Sequence, residues 1–378
     1  MRLTTAGESH GKALVAIIEG LPAHLRIDRA QIDEALRLRQ KGYGRGARQA
    51  IECDRVEILT GMRNGETLGS PLTLCIYNKD YENWSSVTST TECDERKMEQ
   101  KRLTKVRPGH ADLAGMAKFE QTDARNILER ASARETAIRV AAGEVYRAYL
   151  SALGVEISGY VREVCGVKDE GRYAFNELFR AKETDLGMLD AQAETLAKAK
   201  IDALKKSGDT AGGVVEIRVK GLKSGFGSCM TYAEKLDGCL AQGLMSIQAV
   251  KGVEVGDGFA LASVSGKNAH DEIYYGEKGV YRETNRAGGI EGGMSNGEEM
   301  ILRVAMKPIP TLMQGLKTVD YLTKEPATAA AERSDVCAIF ALERIAEGVV
   351  AQVLASAVAK RLGGDTMAQV QQRYNDLP

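Results

Sequence analysis

Two of the four histidines occupy similar settings. His10 lies in Gly7-Glu8-Ser9-His10-Gly11 and His110 in Arg107-Pro108-Gly109-His110-Ala111-Asp112, each beside a glycine and each leading into an expected element. An imidazole gives or takes a proton near neutral pH, so either residue suits protonation of a leaving group. The alternative for each is a hydrogen-bonded structural histidine, and His24 and His270, which have no comparable context, take that reading. The stretch from Arg37 to Arg48 (RLRQKGYGRGAR) holds five cations, Arg37, Arg39, Lys41, Arg45 and Arg48, and no acid. Gly42, Gly44 and Gly46 are interleaved with them, and such flexible backbone lets guanidinium groups converge on a carboxylate or phosphate. A solvated basic loop or an RGG-like nucleic-acid segment is the competing interpretation.

Three further stretches are candidates. Thr284 to Gly297 has five glycines in fourteen residues. It lacks the spacing of a Walker A loop or a GxGxxG turn, so it reads either as a cradle for a flat ring or phosphate or as a pair of tight turns. Glu129-Arg130-Ala131-Ser132-Ala133-Arg134 places Ser132 as a helix cap between arginines. In Glu332-Arg333-Ser334-Asp335, Asp335 is a candidate base or hydrogen-bond orienter. Either stretch could instead form a surface ion pair worth under about 1 kcal/mol. No Ser or Cys sits in a nucleophile elbow.

Composition limits what these residues can serve. Across 378 residues, 43% are hydrophobic and 27% charged, which excludes a disordered chain. The 51 basic and 52 acidic residues leave a net charge of −1, so no global field draws the chain to nucleic acid or to an anionic membrane. Seven cysteines without a CxxC spacing, beside four histidines, argue against a zinc site. The N-terminus lacks an apolar signal stretch, and the run Gly348 to Ala359 is too short to span a bilayer. The expectation is a reduced, cytoplasmic enzyme.

The elements that must position the candidates follow from periodicity. Residues 13–18 read as a buried strand, and an Asp28 cap opens a helix over 29–41 with Ile32, Ala35, Leu36 and Arg39 on one face. Residues 56–60 and 71–77 read as strands joined through an Arg63-Asn64-Gly65 turn. The polar 77–105 segment reads as a surface excursion. Helices are predicted over 112–126, 132–152, 186–207, 231–246 and 328–362, the last interrupted near 333–335, with strands over 214–219 and 301–306. Strands and helices do not alternate strictly, which favours an α+β architecture.

In combination these stretches resemble chorismate synthase. The resemblance rests on TTAGESHG (4–11), RQKGYGRGAR (39–48), RPGHAD (107–112), ERASARETAIRVAAGEV (129–145), AVKGVEVGDGF (249–259), TNRAGGIEGGMSNGE (284–298), KPIPT (307–311) and ERSDVC (332–337), in the family's order. It implies a β-α-β sandwich, with antiparallel sheets around a helical layer as a single 1–378 domain, assembled as a homotetramer. The implied reaction is a 1,4-anti elimination of phosphate from 5-enolpyruvylshikimate 3-phosphate to give chorismate, with reduced FMN and no net redox change. The substrate's phosphate and two carboxylates match an arginine-lined pocket.

By the same resemblance, substrate contacts fall on Ser9, Arg39, Arg45, Arg48, Arg107, Arg134 and Arg333. The family positions matching Arg39 and Arg45 are also described as NADPH-binding, but substrate anions are the better physical match. His10 protonates the departing phosphate, His110 supplies a proton at the flavin's pyrimidine edge, and Asp335 assists at flavin N5. FMN contacts fall on Arg130, Ala131, Ser132, Gln248, Ala249, Gly292, Lys307, Pro308, Ile309, Pro310, Thr311 and Arg333. Either the chain reduces its own flavin with NADPH or it borrows reduced FMN from an external flavin reductase, and the absence of a visible reductase domain favours borrowing. The chain departs from the usual pattern at Ser334, where many relatives have His, and in 221–230 and 265–270.

Overall fold

The computed structural model describes residues 1–46, 52–277, 279–329 and 335–378. Two antiparallel sheets form its outer layers. The first has the order Arg2–Ala6, Ala13–Glu19, Leu72–Tyr77, Glu57–Thr60. Its inward residues Leu14, Ala16, Ile18, Leu72, Leu74 and Ile76 are fully buried, as one apolar sheet face requires. The second sheet has the order Val250–Val255, Met300–Met306, Gly213–Lys220, Glu156–Val164, Val167–Lys168. Along Met300–Met306 burial alternates residue by residue, with Met300, Leu302, Val304 and Met306 facing the core.

Between the sheets lie three helices, Arg29–Gln40, Thr136–Ser151 and Ile339–Leu362. Thr136–Ser151 packs on strands of the first sheet and Ile339–Leu362 on strands of the second, giving the expected sandwich. The two long helices cross at Gly143 and Gly348, where a Cβ on Gly143 would fall 2.5 Å from the Gly348 Cα. Any side chain there would push the helices apart and open the core above and below. Both are rich in alanine and valine, small residues suited to that approach. The Arg29–Gln40 helix begins as expected, with the Asp28 carboxylate accepting from the Ala30 N–H at 2.9 Å. It buries Ile32, Ala35, Leu36, Leu38 and, unusually, Arg39.

Several predicted elements differ. The expected 112–126 helix is two short ones, Asp112–Lys118 and Arg125–Ala131, broken around Glu120, whose φ of 53° is left-handed. Among the described residues the 328–362 tract is helical from Ile339, and Pro326–Thr328 instead pairs as a strand with Lys317–Val319. Residues 330–334 lie outside the described residues. The 77–105 segment is more than an excursion: it contains helices Tyr81–Thr88 and Glu95–Lys101 and packs back onto His10. Among the described residues, no helix is long and apolar enough to cross a membrane.

Candidate active site

The His10 loop and the arginine stretch meet at the N-terminal end of the Thr136–Ser151 helix. His10 stands in the turn after the first strand. Its Nδ1 lies 2.8 and 3.1 Å from the two Glu129 carboxylate oxygens, and its backbone N–H donates to Glu129 Oε2 at 2.7 Å. The preceding Ser9, 2% exposed, donates its N–H to the Glu129 carbonyl. Asn78 ties this loop to the arginines, since its amide donates to the Glu8 and Gly11 carbonyls while its oxygen accepts from Arg134 Nε at 3.0 Å.

Arg134 then donates from both terminal nitrogens to Asp54, at 2.6 and 2.7 Å, a bidentate pair that fixes the guanidinium plane. Arg39 lies 3.9 Å from the same carboxylate and donates to Thr136 Oγ1 and the Ala133 carbonyl. Burial, opposed by Asp54 and reinforced by Arg134 and Arg45, pushes the Arg39 guanidinium down to about 9. It is still a cation at neutral pH, crowded by others, which is a setting that favours an added anion. Arg45 approaches Asp335 at 3.3 Å, and Asp335 also accepts from the Gly46 N–H at 2.6 Å. Ser132 caps the next turn as expected, accepting from the Arg134 N–H. Arg37, by contrast, is exposed and pairs with Glu34. Arg48 and Arg333, expected in this cluster, lie outside the described residues. At Arg39, which is buried, and at Arg45, which pairs with Asp335, the stretch is neither a solvated loop nor an RGG-like segment.

His110 anchors a second group. Asp112 bonds His110 Nδ1 and receives Arg107 Nε at 2.8 Å and Nη2 at 3.0 Å. Burial opposes ionisation of Asp112, but the His110 and Arg107 hydrogen bonds outweigh it and hold the carboxyl far below its usual range. Arg107 also donates to Thr311 Oγ1 at 3.3 Å, and Lys307 Nζ donates to the Gly109 carbonyl at 2.5 Å. Gly109 has a φ of +78°, and a Cβ there would meet Lys307 Nζ at 3.3 Å, so the position suits only glycine.

A row of contacts bridges the two groups. Arg130 donates to Thr5 and to the Gly7 carbonyl, and Thr5 donates to Glu135 at 2.9 Å. Glu135 receives Gln248 Nε2 at 3.4 Å, and the Ala249 carbonyl accepts from the Lys307 N–H at 3.0 Å. Pro308, Ile309 and Pro310 continue from Lys307 to Thr311, with the Ile309 carbonyl accepting from Thr210 Oγ1. Ala131 ends the helix Arg125–Ala131 beside Ser132.

Over this whole length the sequence matches known proteins. A family model described as chorismate synthase covers residues 1–359. The chorismate synthase of Geobacter metallireducens is 51% identical over 99% of this chain and 98% of its own length. One from Thermus thermophilus is 50% identical, over 99% and 97%. The chain belongs to the chorismate synthase family. A solved chorismate synthase crystal structure, 37% identical, superposes with a TM-score of 0.79 over 99% of this chain and 96% of that one. Membership makes the chain an enzyme, a lyase of the chorismate synthase type.

Gly292 lies in the two-residue turn between Ile290–Glu291 and Met294–Ser295, which pair antiparallel. Strands Val250–Val255 and Met300–Met306 run antiparallel, Val250 opposite Met306 and Val255 opposite Leu302. Gln248, Ala249 and Lys307 therefore share one end of this strand pair, and Gly256, against Arg286 and Gly288, stands at the other. Gly293 bonds the start of the helix Leu236–Met245, whose far end leads back to Gln248. The carboxylates Glu129, Asp54 and Asp112, with Asn78 and Trp84, were missed by sequence reasoning. Asp112 was findable, two residues from His110 in the same motif. Asp54 and Asn78 carry no local signal, because their partner Arg134 is 80 and 56 residues distant.

Proposed function

We propose that the chain works as a chorismate synthase at this site, eliminating phosphate from 5-enolpyruvylshikimate 3-phosphate with reduced FMN present. The observation that carries the proposal is a buried relay from the His10 loop through Asn78 to the Arg134, Asp54 and Arg39 group, which sets a proton donor beside fixed guanidiniums. The substrate carries one phosphate and two carboxylates, and planes held by Asp54, Asp112 and Asp335 present cations in fixed orientation.

The residues also fit a flavin. Gln248 Oε1 is buried with no hydrogen-bond partner among the described residues, beside the left-handed Ala249. That orphaned acceptor faces a polar cofactor edge better than it suits a closed core. Arg130 lies 3.8 Å from the Glu135 that Gln248 bonds, and the Lys307 N–H donates to Ala249, which sets cationic residues by this edge in keeping with a phosphate-bearing ring system. Gln248, Ala249, Arg130, Ala131, Ser132, Gly292 and Lys307 to Thr311 would hold the cofactor, as would Arg333. When bound, reduced flavin would supply the electron-rich ring that eases C–O cleavage and a base for the C6 hydrogen.

The chain's own residues do the rest. Ser9, Arg39, Arg45, Arg107 and Arg134, with Arg48 and Arg333, orient the substrate anions. His10 passes a proton from its ring to the departing phosphate, whose oxygen takes the C–O bond pair, lowering the charge of a poor leaving group. His110, tied to Asp112, holds a proton at the second station, and Asp335 accepts hydrogen bonds beside Arg45. A homotetramer is supported by exposed Phe259, Tyr275 and Val280. A single functional unit is supported by the site drawing on residues from Ser9 to Asp335. A cytoplasmic setting accords with seven free cysteines.

The test is anaerobic incubation with dithionite-reduced FMN and substrate. Equal release of phosphate and chorismate is expected, and folded protein releasing neither would refute the reaction. Repeating it with NADPH as sole reductant, with and without a flavin reductase, decides whether an external reductase is needed.

A further inference from the structure

We propose that Glu129 and Trp84 are positioning residues for His10, together fixing its tautomer and ring plane so that Nε2 alone is offered to the departing phosphate. The proposal rests on the reaction above. A carboxylate has no hydrogen to give, so Nδ1, 2.8 Å from Glu129 Oε1, must be the donor in that contact. The second oxygen receives the His10 backbone N–H, so one carboxylate grips both the ring and the main chain of the same residue. Burial opposes its ionisation, yet the His10 ring, the His10 backbone and Arg125 outweigh burial and hold Glu129 below the usual carboxylate range. Glu129 is therefore an anion at neutral pH.

Trp84 covers the imidazole from the side. Its ring lies 4.2 Å from that of His10, tilted by 31°, and the same helix sends Thr88 Oγ1 to the His10 carbonyl at 2.9 Å. Arg125 and Lys101 sit over the indole at 4.7 and 4.8 Å, holding it in place by cation–π attraction. Arg125 lies 3.4 Å from Glu129 as well, so one guanidinium braces both positioning groups. Among the described residues His10 Nε2 makes no hydrogen bond, and the side chain is 13% exposed.

With this arrangement the proton on Nε2 of the imidazolium moves to a phosphate oxygen as the C–O pair departs with phosphate. The neutral imidazole left behind is the Nδ1–H form that Glu129 already binds, so no ring flip or tautomer exchange follows transfer. Trp84 is the sole tryptophan, which makes the contact directly visible.

The experiment uses the full chain with histidine labelled by ¹⁵N. In the wild type, the neutral His10 ring should show the Nδ1–H signature. In Glu129→Leu, which cannot accept a hydrogen bond, the ring should revert to the Nε2–H form favoured in water. Glu129→Gln, which retains an acceptor, should keep the Nδ1–H form yet lose about 10- to 100-fold in kcat with KM little changed. Trp84→Phe should lower kcat in the same sense, and His10→Ala should brighten Trp84 emission. If Glu129→Leu fails to fold, the Gln variant and the emission change carry the test. An Nε2–H ring in wild type, or unchanged kcat in Glu129→Gln, would overturn the positioning role. Loss of all wild-type turnover with the tautomer signature intact would instead overturn the reaction reading.

Discussion

The two histidine stations solve one problem in different ways. Both tie Nδ1 to a carboxylate, His10 to Glu129 and His110 to Asp112. For His110 the carboxylate is two residues on and is gripped by a nearly buried arginine, so the station is built from one short loop that Lys307 and Thr311 brace. For His10 the carboxylate arrives from a helix 119 residues away, and the ring is covered by an indole from a third segment. A local station keeps its geometry wherever its loop folds. A composite one exists only when three distant segments have docked, and it reports on the packing of the whole site.

That contrast can be broken or sharpened by substitution. The largest expected effect is at Asp112, 1% exposed, where Asp112→Asn removes the carboxylate that accepts two hydrogen bonds from the buried Arg107. Breaking such a pair should cost about 3–5 kcal/mol, read as a lowered denaturation midpoint in urea. Glu129→Gln keeps an acceptor for His10 and should cost less, about 1–2 kcal/mol in the same measurement. A cost at Glu129 equal to that at Asp112 would erase the distinction between the two stations.

Acid should act on both. The folded forms of Asp112 and Glu129 ionise below their ordinary values. Their contribution to stability is thus complete above the ordinary carboxylate range, and is lost as pH falls below about 4 toward the folded values. Denaturation midpoints between about pH 2 and 5 should fall with acidification, and the slope should be shallower in Asp112→Asn. The smallest effect is expected at the far end of the basic stretch. Arg37→Ala removes an exposed pair with Glu34 and should change stability by under about 0.5 kcal/mol, with kcat unaltered.

How much of this was legible in the sequence follows from distance along the chain. The Asp28 cap, the helix it opens and the inward face carrying Arg39 are local, so periodicity found them. The loops around His10 and His110 were visible because glycine and histidine side by side leave few structural readings. Ser132 announced its cap in the same way. Trp84 did not, because a lone aromatic in a polar segment looks like surface until its partner at position 10 is known. Glu129 was quoted within a motif for its neighbours' sake, and only three-dimensional packing gives it a partner. Gly292 and Gly293 announced a tight turn locally, and they join Ile290–Glu291 to Met294–Ser295. The broken 112–126 helix turned on Glu120 adopting a left-handed backbone, which no composition rule foresees.

The most direct measurement compares phosphate release by the wild type and His10→Ala under anaerobic conditions, each with reduced FMN bound to the same extent. An imidazole acting as acid on the leaving group predicts a fall of about 100-fold or more in the variant, with flavin affinity retained. Phosphate released by folded His10→Ala at a rate within a few-fold of wild type would contradict it.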